Sequence, residues 1–140
     1  DERRPKWKLI GDKKEWAFPF KLNYNELKQK KEIILVESIG DMLALRQNGI
    51  SNSIVTFGLS LTSKILMSLI SLNPATIIIA FNTDSLNSSA GNMAAESVEK
   101  KLLQYFDKRQ VLVRLPETNK DFGELNVSEP ERILEWKSTI

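Results

Sequence analysis

Two short apolar runs constrain this chain more than anything else in it. Ile33-Ile34-Leu35-Val36 leads into Glu37-Ser38-Ile39-Gly40-Asp41, and Ile77-Ile78-Ile79-Ala80-Phe81 leads into Asn82-Thr83-Asp84. Runs of this length, rich in β-branched residues and without polar alternation, predict strands buried on both faces of a parallel sheet. Ligands of such sheets gather just beyond the carboxyl ends of the strands. Glu37, Asp41, Asn82 and Asp84 therefore stand where chemistry is expected.

The rest of the chain supplies the crossovers that parallel strands require. Two more strands are expected over residues 53–57 and 110–115. A helix over 40–48 would turn Met42, Leu43 and Leu45 inward and stop at Asn48-Gly49. A second, capped by Ser60 or Thr62, carries Leu61, Ile65, Leu69 and Leu72 on one side and ends at Asn73-Pro74. A third, over 93–106, carries Ala95, Val98, Leu102 and Phe106. Residues 24–31 read as a polar connector with a helical turn or two, and 116–123 as a loop. Ser128-Glu129-Pro130-Glu131 has the pattern of a capping box, opening a final helix with Ile133, Leu134 and Trp136 inward. The order β-α-β-α-β-α-β-α predicts an α/β domain with about four parallel strands and helices on both faces. Before it, the alternation in Lys6-Trp7-Lys8-Leu9-Ile10 and the turn at Gly11-Asp12 suggest a hairpin over about 7–20. Pro19 limits its second half to an edge strand or an irregular segment.

Composition narrows the chemistry. The chain has 140 residues, enough for one domain with a core, and it contains neither Cys nor His. Thiolate catalysis, disulfides, His-ligated metals and a Ser-His-Asp triad are excluded. Carboxylates without His or Cys suit a hard, oxygen-liking cation such as magnesium. No apolar run approaches the roughly 18 residues that span a bilayer. The charged first residues lack a signal-peptide core, so the expected address is cytoplasmic. A start at Asp1 rather than Met suggests a piece of a longer chain. The net charge of +2 is unevenly spread: residues 1–31 hold ten Lys/Arg against five Asp/Glu, and the remainder is net −3. Arg3, Arg4, Lys6, Lys8, Lys13 and Lys14 can approach phosphates, and the aromatics Trp7, Trp16, Phe18 and Phe20 interleave with such charges as nucleic-acid stacking sites do. The alternative is a solvated basic surface whose aromatics dock the arm on the core.

Asn82 and Asp84, two apart on an extended backbone, point the same way, so both side-chain oxygens can reach one ion. Glu37 ends a neighbouring strand and can complete the cluster, and Asp41 follows it at i+4. Magnesium commonly takes one or two carboxylates, waters and a substrate phosphate. The competing reading is that such residues only cap the following helices. The loop 85–92 is rich in Ser, Asn and Gly, yet the chain has neither a Gly-x-x-x-x-Gly-Lys-Ser/Thr loop nor a Gly-x-Gly-x-x-Gly turn. Lys120-Asp121 places opposite charges on the rim of the fourth strand, or forms a plain surface pair.

These segments together resemble a known family. Ile34-Leu35-Val36-Glu37-Ser38-Ile39-Gly40-Asp41-Met42-Leu43-Ala44-Leu45 is similar to the first motif of Toprim domains, the catalytic modules shared by DnaG-type primases, topoisomerases and some nucleases. Val55-Thr56-Phe57-Gly58-Leu59-Ser60-Leu61-Thr62 resembles the primase segment in which a strand runs into Gly and then a helix start. Ile77 through Asp84, with Ala90-Gly91-Asn92-Met93-Ala94-Ala95, resembles the Asp-x-Asp strand and the helix after it. Leu115 through Lys120-Asp121 to Leu125 resembles the Lys-Asp loop that closes primase Toprim domains. The stretch from Pro5 to Leu22 is similar to the end of the basic subdomain before Toprim. The likeness covers about residues 5–125 and is closest to bacteriophage-type primases.

The resemblance implies a Toprim-like fold over residues 31–126. A basic arm over 1–30 would be the tail of a preceding primase subdomain, and 127–140 a C-terminal helix. It implies a magnesium-dependent nucleotidyltransferase, with manganese as a substitute, that makes RNA primers on single-stranded DNA from ribonucleotides. Glu37 would be the acid/base or a metal ligand, Asp84 a metal ligand, Asn82 a helper, and Asp41 and Asp121 accessory acids. Lys120 and the basic arm would meet template or nucleotide phosphates. A zinc-binding template reader or a replicative helicase would lie elsewhere, and a phage-encoded protein would work in the host cytoplasm. Two positions depart from the family pattern: Asn82 stands where the first Asp of Asp-x-Asp is usual, and Ser38 where Gly is frequent. The same fold also serves nucleases, and Asn82 suits a non-catalytic module that binds nucleic acid or a replication partner.

Overall fold

The two apolar runs form the centre of one sheet. The computed structural model describes residues 17–20, 24–57, 60–82, 90–116 and 121–140. Along the chain, Tyr24–Lys30 is α1, Glu32–Val36 β1, Ile39–Gln47 α2, Ser53–Val55 β2, Ser63–Leu72 α3 and Thr76–Ile79 β3. Ala90–Leu102 is α4, Val111–Val113 β4, Phe122–Ser128 α5 and Glu131–Ser138 α6. The strands are parallel in the order β2-β1-β3-β4. The chain leaves β1 towards β2 on one side and returns to β3 on the other. That reversal opens a crevice at the carboxyl ends of β1 and β3, the place where open α/β sheets bind ligands.

Burial on both faces explains why the two runs lack alternation. Ile33, Leu35, Ile77, Ile79 and Phe81 pack with Leu27 of α1, Ile65 and Leu69 of α3, and Ala95, Val98 and Leu102 of α4. Ile34, Val36, Ile78 and Ala80 face the other way, onto Met42, Ala44 and Leu45 of α2, Phe122 and Leu125 of α5, and Ile133 and Trp136 of α6. Two hydrogen-bonding groups pin α6 to the sheet. Trp136 Nε1 donates to the Arg114 carbonyl (3.0 Å) and Lys137 pairs with Glu32 (2.9 Å). The last helix thus shares the core of the domain. Among the described residues, no helix is long and apolar enough to cross a membrane.

The structure corrects several local expectations. Leu43 and Leu134 are exposed, at 43% and 53%, while Ala44 is buried. Each helix meets the core along one narrow stripe, and a residue one step round the helix from it faces water. Ser128 does not cap a helix: it ends α5, and its hydroxyl donates to the Glu124 carbonyl (3.0 Å). α6 starts after Pro130 with no side-chain cap. The expected loop over 116–123 instead leads into α5, whose N-cap is Asp121, accepting from Glu124 N–H (2.8 Å). Asp121 with Glu124 three residues later is itself a helix-start spacing, and it prevails because Phe122 and Leu125 reach the core.

Of the expected hairpin only Ala17–Phe20, a turn, lies within the described residues. There the docking alternative holds. The Phe18 carbonyl accepts from Val55 N–H (2.7 Å), extending the edge of β2. Phe18 meets Phe57 (6.1 Å between ring centroids) and Phe20 meets Tyr24 (5.5 Å). Trp7 and Trp16 lie outside the described residues.

At the end of α3, Asn73 adopts a left-handed conformation, φ +46°, and its N–H returns to the Leu69 and Ile70 carbonyls. Asn tolerates this region better than other residues with a Cβ. Asn73→Ala is expected to cost about 1 kcal/mol in urea unfolding, and Asn73→Gly close to nothing.

Candidate functional site

Parallel register builds the site. Leu35 pairs with Ile79, and Ala80 N–H donates to the Leu35 carbonyl (2.9 Å), so β1 and β3 stay paired as their chains leave the sheet. Just beyond, the Asn82 backbone N–H donates to Glu37 Oε1 (2.8 Å). The two strand ends named by the sequence are thus joined through the side chain of one and the main chain of the other. The Asn82 side-chain oxygen is buried and has no hydrogen-bond partner among the described residues. Buried acceptors are nearly always satisfied, so an unpaired one needs an explanation. An amide oxygen beside a carboxylate is a donor set suited to a hard divalent cation.

Asp41 lies deeper. It is 1% exposed. Ser38 caps α2, its Oγ accepting from Asp41 N–H (3.2 Å) and donating to Asp41 Oδ2 (2.9 Å). Asp41 Oδ1 accepts from the Phe122 N–H at the start of α5 (3.1 Å). Burial pushes the Asp41 carboxyl above the ordinary Asp range, and the nearby negative Asp121 adds to that. Hydrogen bonds from Ser38, the Gly123 backbone and the Asn82 side chain pull the other way, without cancelling the effect of burial.

The structure therefore brings Glu37 and Asn82 into direct contact, and reaches Asp41 and Asp121 through Ser38, Asn82 and the start of α5. Among the described residues, no three acidic side chains are grouped closely enough to hold a metal. Asp84 and Lys120 lie outside the described residues, as do Arg3, Arg4, Lys6, Lys8, Lys13 and Lys14. Sequence reasoning missed the part played by Ser38. The signal was present as an N-cap residue three positions before an acid. It also placed Asp41 one helical turn from Glu37. Ser38 is extended (φ −133°, ψ 161°), so Glu37 precedes the helix and helical spacing does not apply to the pair.

With this geometry in view, the likenesses to known proteins are informative. A family model described as Toprim-like matches residues 34–126. No curated protein matches the chain in sequence. Among solved structures, the DnaG catalytic core superposes with a TM-score of 0.76 at 19% identity, covering 99% of this chain and 46% of that one. A DNA primase domain from Pseudomonas aeruginosa superposes at 0.72 with 23% identity, covering 96% and 44%. A DnaG primase catalytic domain bound to single-stranded DNA gives 0.72 with 20% identity, covering 93% and 40%. At these identities the likeness is one of fold. The chain spans less than half the length of each of these three structures.

Proposed function

We infer the function from one premise: this chain belongs to the Toprim-like family. The reading that the premise and the site favour is the catalytic Toprim domain of a DNA primase of bacteriophage type. Its reaction would be nucleotidyl transfer, joining ribonucleotides into RNA primers on single-stranded DNA. The carrying observation is the Glu37–Asn82 pair at the crevice between β1 and β3, with a buried, unpartnered amide oxygen beside it.

These residues fit a divalent cation. Glu37 and the Asn82 side-chain oxygen, together with Asp84, would hold magnesium, with manganese as a substitute. When bound, such an ion neutralises phosphate charge and lowers the cost of forming the transferred phosphoryl's transition state. The chain's own part is placement. The Asn82 N–H fixes the Glu37 carboxylate at the edge of the sheet, and the paired strands below keep that edge rigid. Asp121 would add negative charge at the rim. Lys120 and the arm bearing Arg3, Arg4, Lys6, Lys8, Lys13 and Lys14 would approach template and nucleotide phosphates. The DNA-bound neighbour supports single-stranded DNA as a partner. A helicase or a zinc-binding segment would complete the primase.

Asn82 favours a second reading, a Toprim module that binds nucleic acid without catalysis, because a neutral ligand replaces a charged one. Incubating the protein with single-stranded template, magnesium and labelled ribonucleotides separates the possibilities. RNA primers support the primase. Shortened template indicates a Toprim nuclease. Bound but unchanged template indicates the non-catalytic module.

Asn82→Asp tests the ligand role directly. The added charge is expected to tighten manganese binding about tenfold, the equivalent of roughly 1.4 kcal/mol. It also faces the Asp41 carboxylate, so the metal-free melting temperature should fall. Calorimetric titration and thermal melts read the two effects.

A further inference from the structure

We propose that Asp41 is a positioning residue: its carboxylate latches the start of α5 to the turn that carries Glu37, and it shapes the cation site without ligating the ion. This rests on the reading of the Glu37–Asn82 edge as that site.

A carboxylate offers about four lone-pair positions. Four donors converge on Asp41: the Ser38 hydroxyl (2.9 Å), the Phe122 N–H (3.1 Å), the Gly123 backbone and the Asn82 side chain. None remains for an ion. The donors come from three places, the turn after β1, the end of β3 and the start of α5, so one buried group fixes all three to one another. The α2–α5 contact is built to match. A Cβ at Gly123 would stand 3.3 Å from Asp121 Oδ1 and 3.9 Å from the Gly40 carbonyl oxygen, so a glycine there lets the two helix starts close together. At the other end of the contact, Asn48 donates to Asn126 (2.8 Å), and Asn126 donates to Gln47. Leu45 and Leu125 belong to the core cluster between these polar clamps. The latch also explains Ser38. Its hydroxyl caps α2 and donates to the carboxylate at once, which a glycine cannot do.

The test compares Asp41→Ala and Asp41→Asn with the wild type, first in EDTA and then with manganese. In Asp41→Ala the metal-free melting midpoint should fall by about 5 °C or more. Exchange of the Phe122 amide should speed at least about tenfold, since its acceptor is gone. Manganese binding should weaken in parallel. Asp41→Asn keeps an oxygen for Phe122 and an amide to give Ser38. It should recover most of the midpoint and the amide protection, and hold manganese within about fivefold of wild type. If Asp41→Ala leaves the metal-free midpoint and Phe122 exchange unchanged while both variants lose manganese, Asp41 is a ligand and the proposal is overturned. Should Asp41→Ala not fold, Ser38→Ala serves instead. Faster Phe122 exchange supports the latch, and unchanged exchange overturns it. The metal-free readings stand even if the wild type binds no manganese, a result that would count against the proposed function alone.

Discussion

Glu37→Gln is expected to weaken manganese binding at least about tenfold and to lower nucleotidyl transfer by about a thousandfold, the scale of losing one charged group at a transition-state electrostatic site. The variant separates charge from structure. Glutamine keeps an oxygen where Glu37 Oε1 accepts the Asn82 N–H (2.8 Å), so the joint between the two strand ends survives. Stability should change by less than about 1 kcal/mol. Glu37→Ala removes the acceptor as well. It leaves the Asn82 N–H unpaired and should cost about 1–3 kcal/mol more. Primer synthesis, manganese titration and thermal melts on both variants would distinguish a ligand from a strand-end clamp. Equal activity in Glu37→Gln and wild type would remove Glu37 from the site.

Phe81→Ala should have the largest effect on the fold itself. Phe81 is fully buried and lies on the face shared by α3 and α4, immediately before Asn82. Emptying such a site costs about 3–5 kcal/mol, through lost transfer energy and a cavity that the rigid sheet cannot close. Whole domains are stable by only about 5–15 kcal/mol, so this is a large share. The melting temperature should drop by about 10 °C or more. Phe81→Leu, which loses less volume, should cost about a third of that. Urea unfolding followed by circular dichroism measures both. A cost below about 1 kcal/mol for Phe81→Ala would mean that the end of β3 is not packed as described.

The central strands were legible in the sequence because burial on both faces leaves a continuous apolar run, and Ile33–Val36 and Ile77–Phe81 are such runs. Their adjacency, and with it the meeting of Glu37 and Asn82, followed from parallel topology with a reversal between them. Side-chain direction on the helices was harder to read. Leu43 and Leu134 are as apolar as their buried neighbours, and only packing against the sheet decides which side of a helix faces it. α5 was hidden because its seven residues carry just two core side chains, Phe122 and Leu125, and a stronger-looking start signal at Ser128 drew the helix boundary too late. Asp41 was named from the sequence, but its inward direction was not legible. That direction depends on the extended backbone of Ser38 and on a partner, Phe122, that is 81 residues away in the chain.

The central claim is that the carboxyl ends of β1 and β3 hold one divalent cation. A crystal of the protein soaked in manganese, with anomalous data collected near the metal edge, tests it most directly. The account predicts a peak within bonding distance of Glu37 and the Asn82 side-chain oxygen, with Asp84 completing the set. A manganese peak elsewhere, with this edge empty at saturating metal, would contradict it.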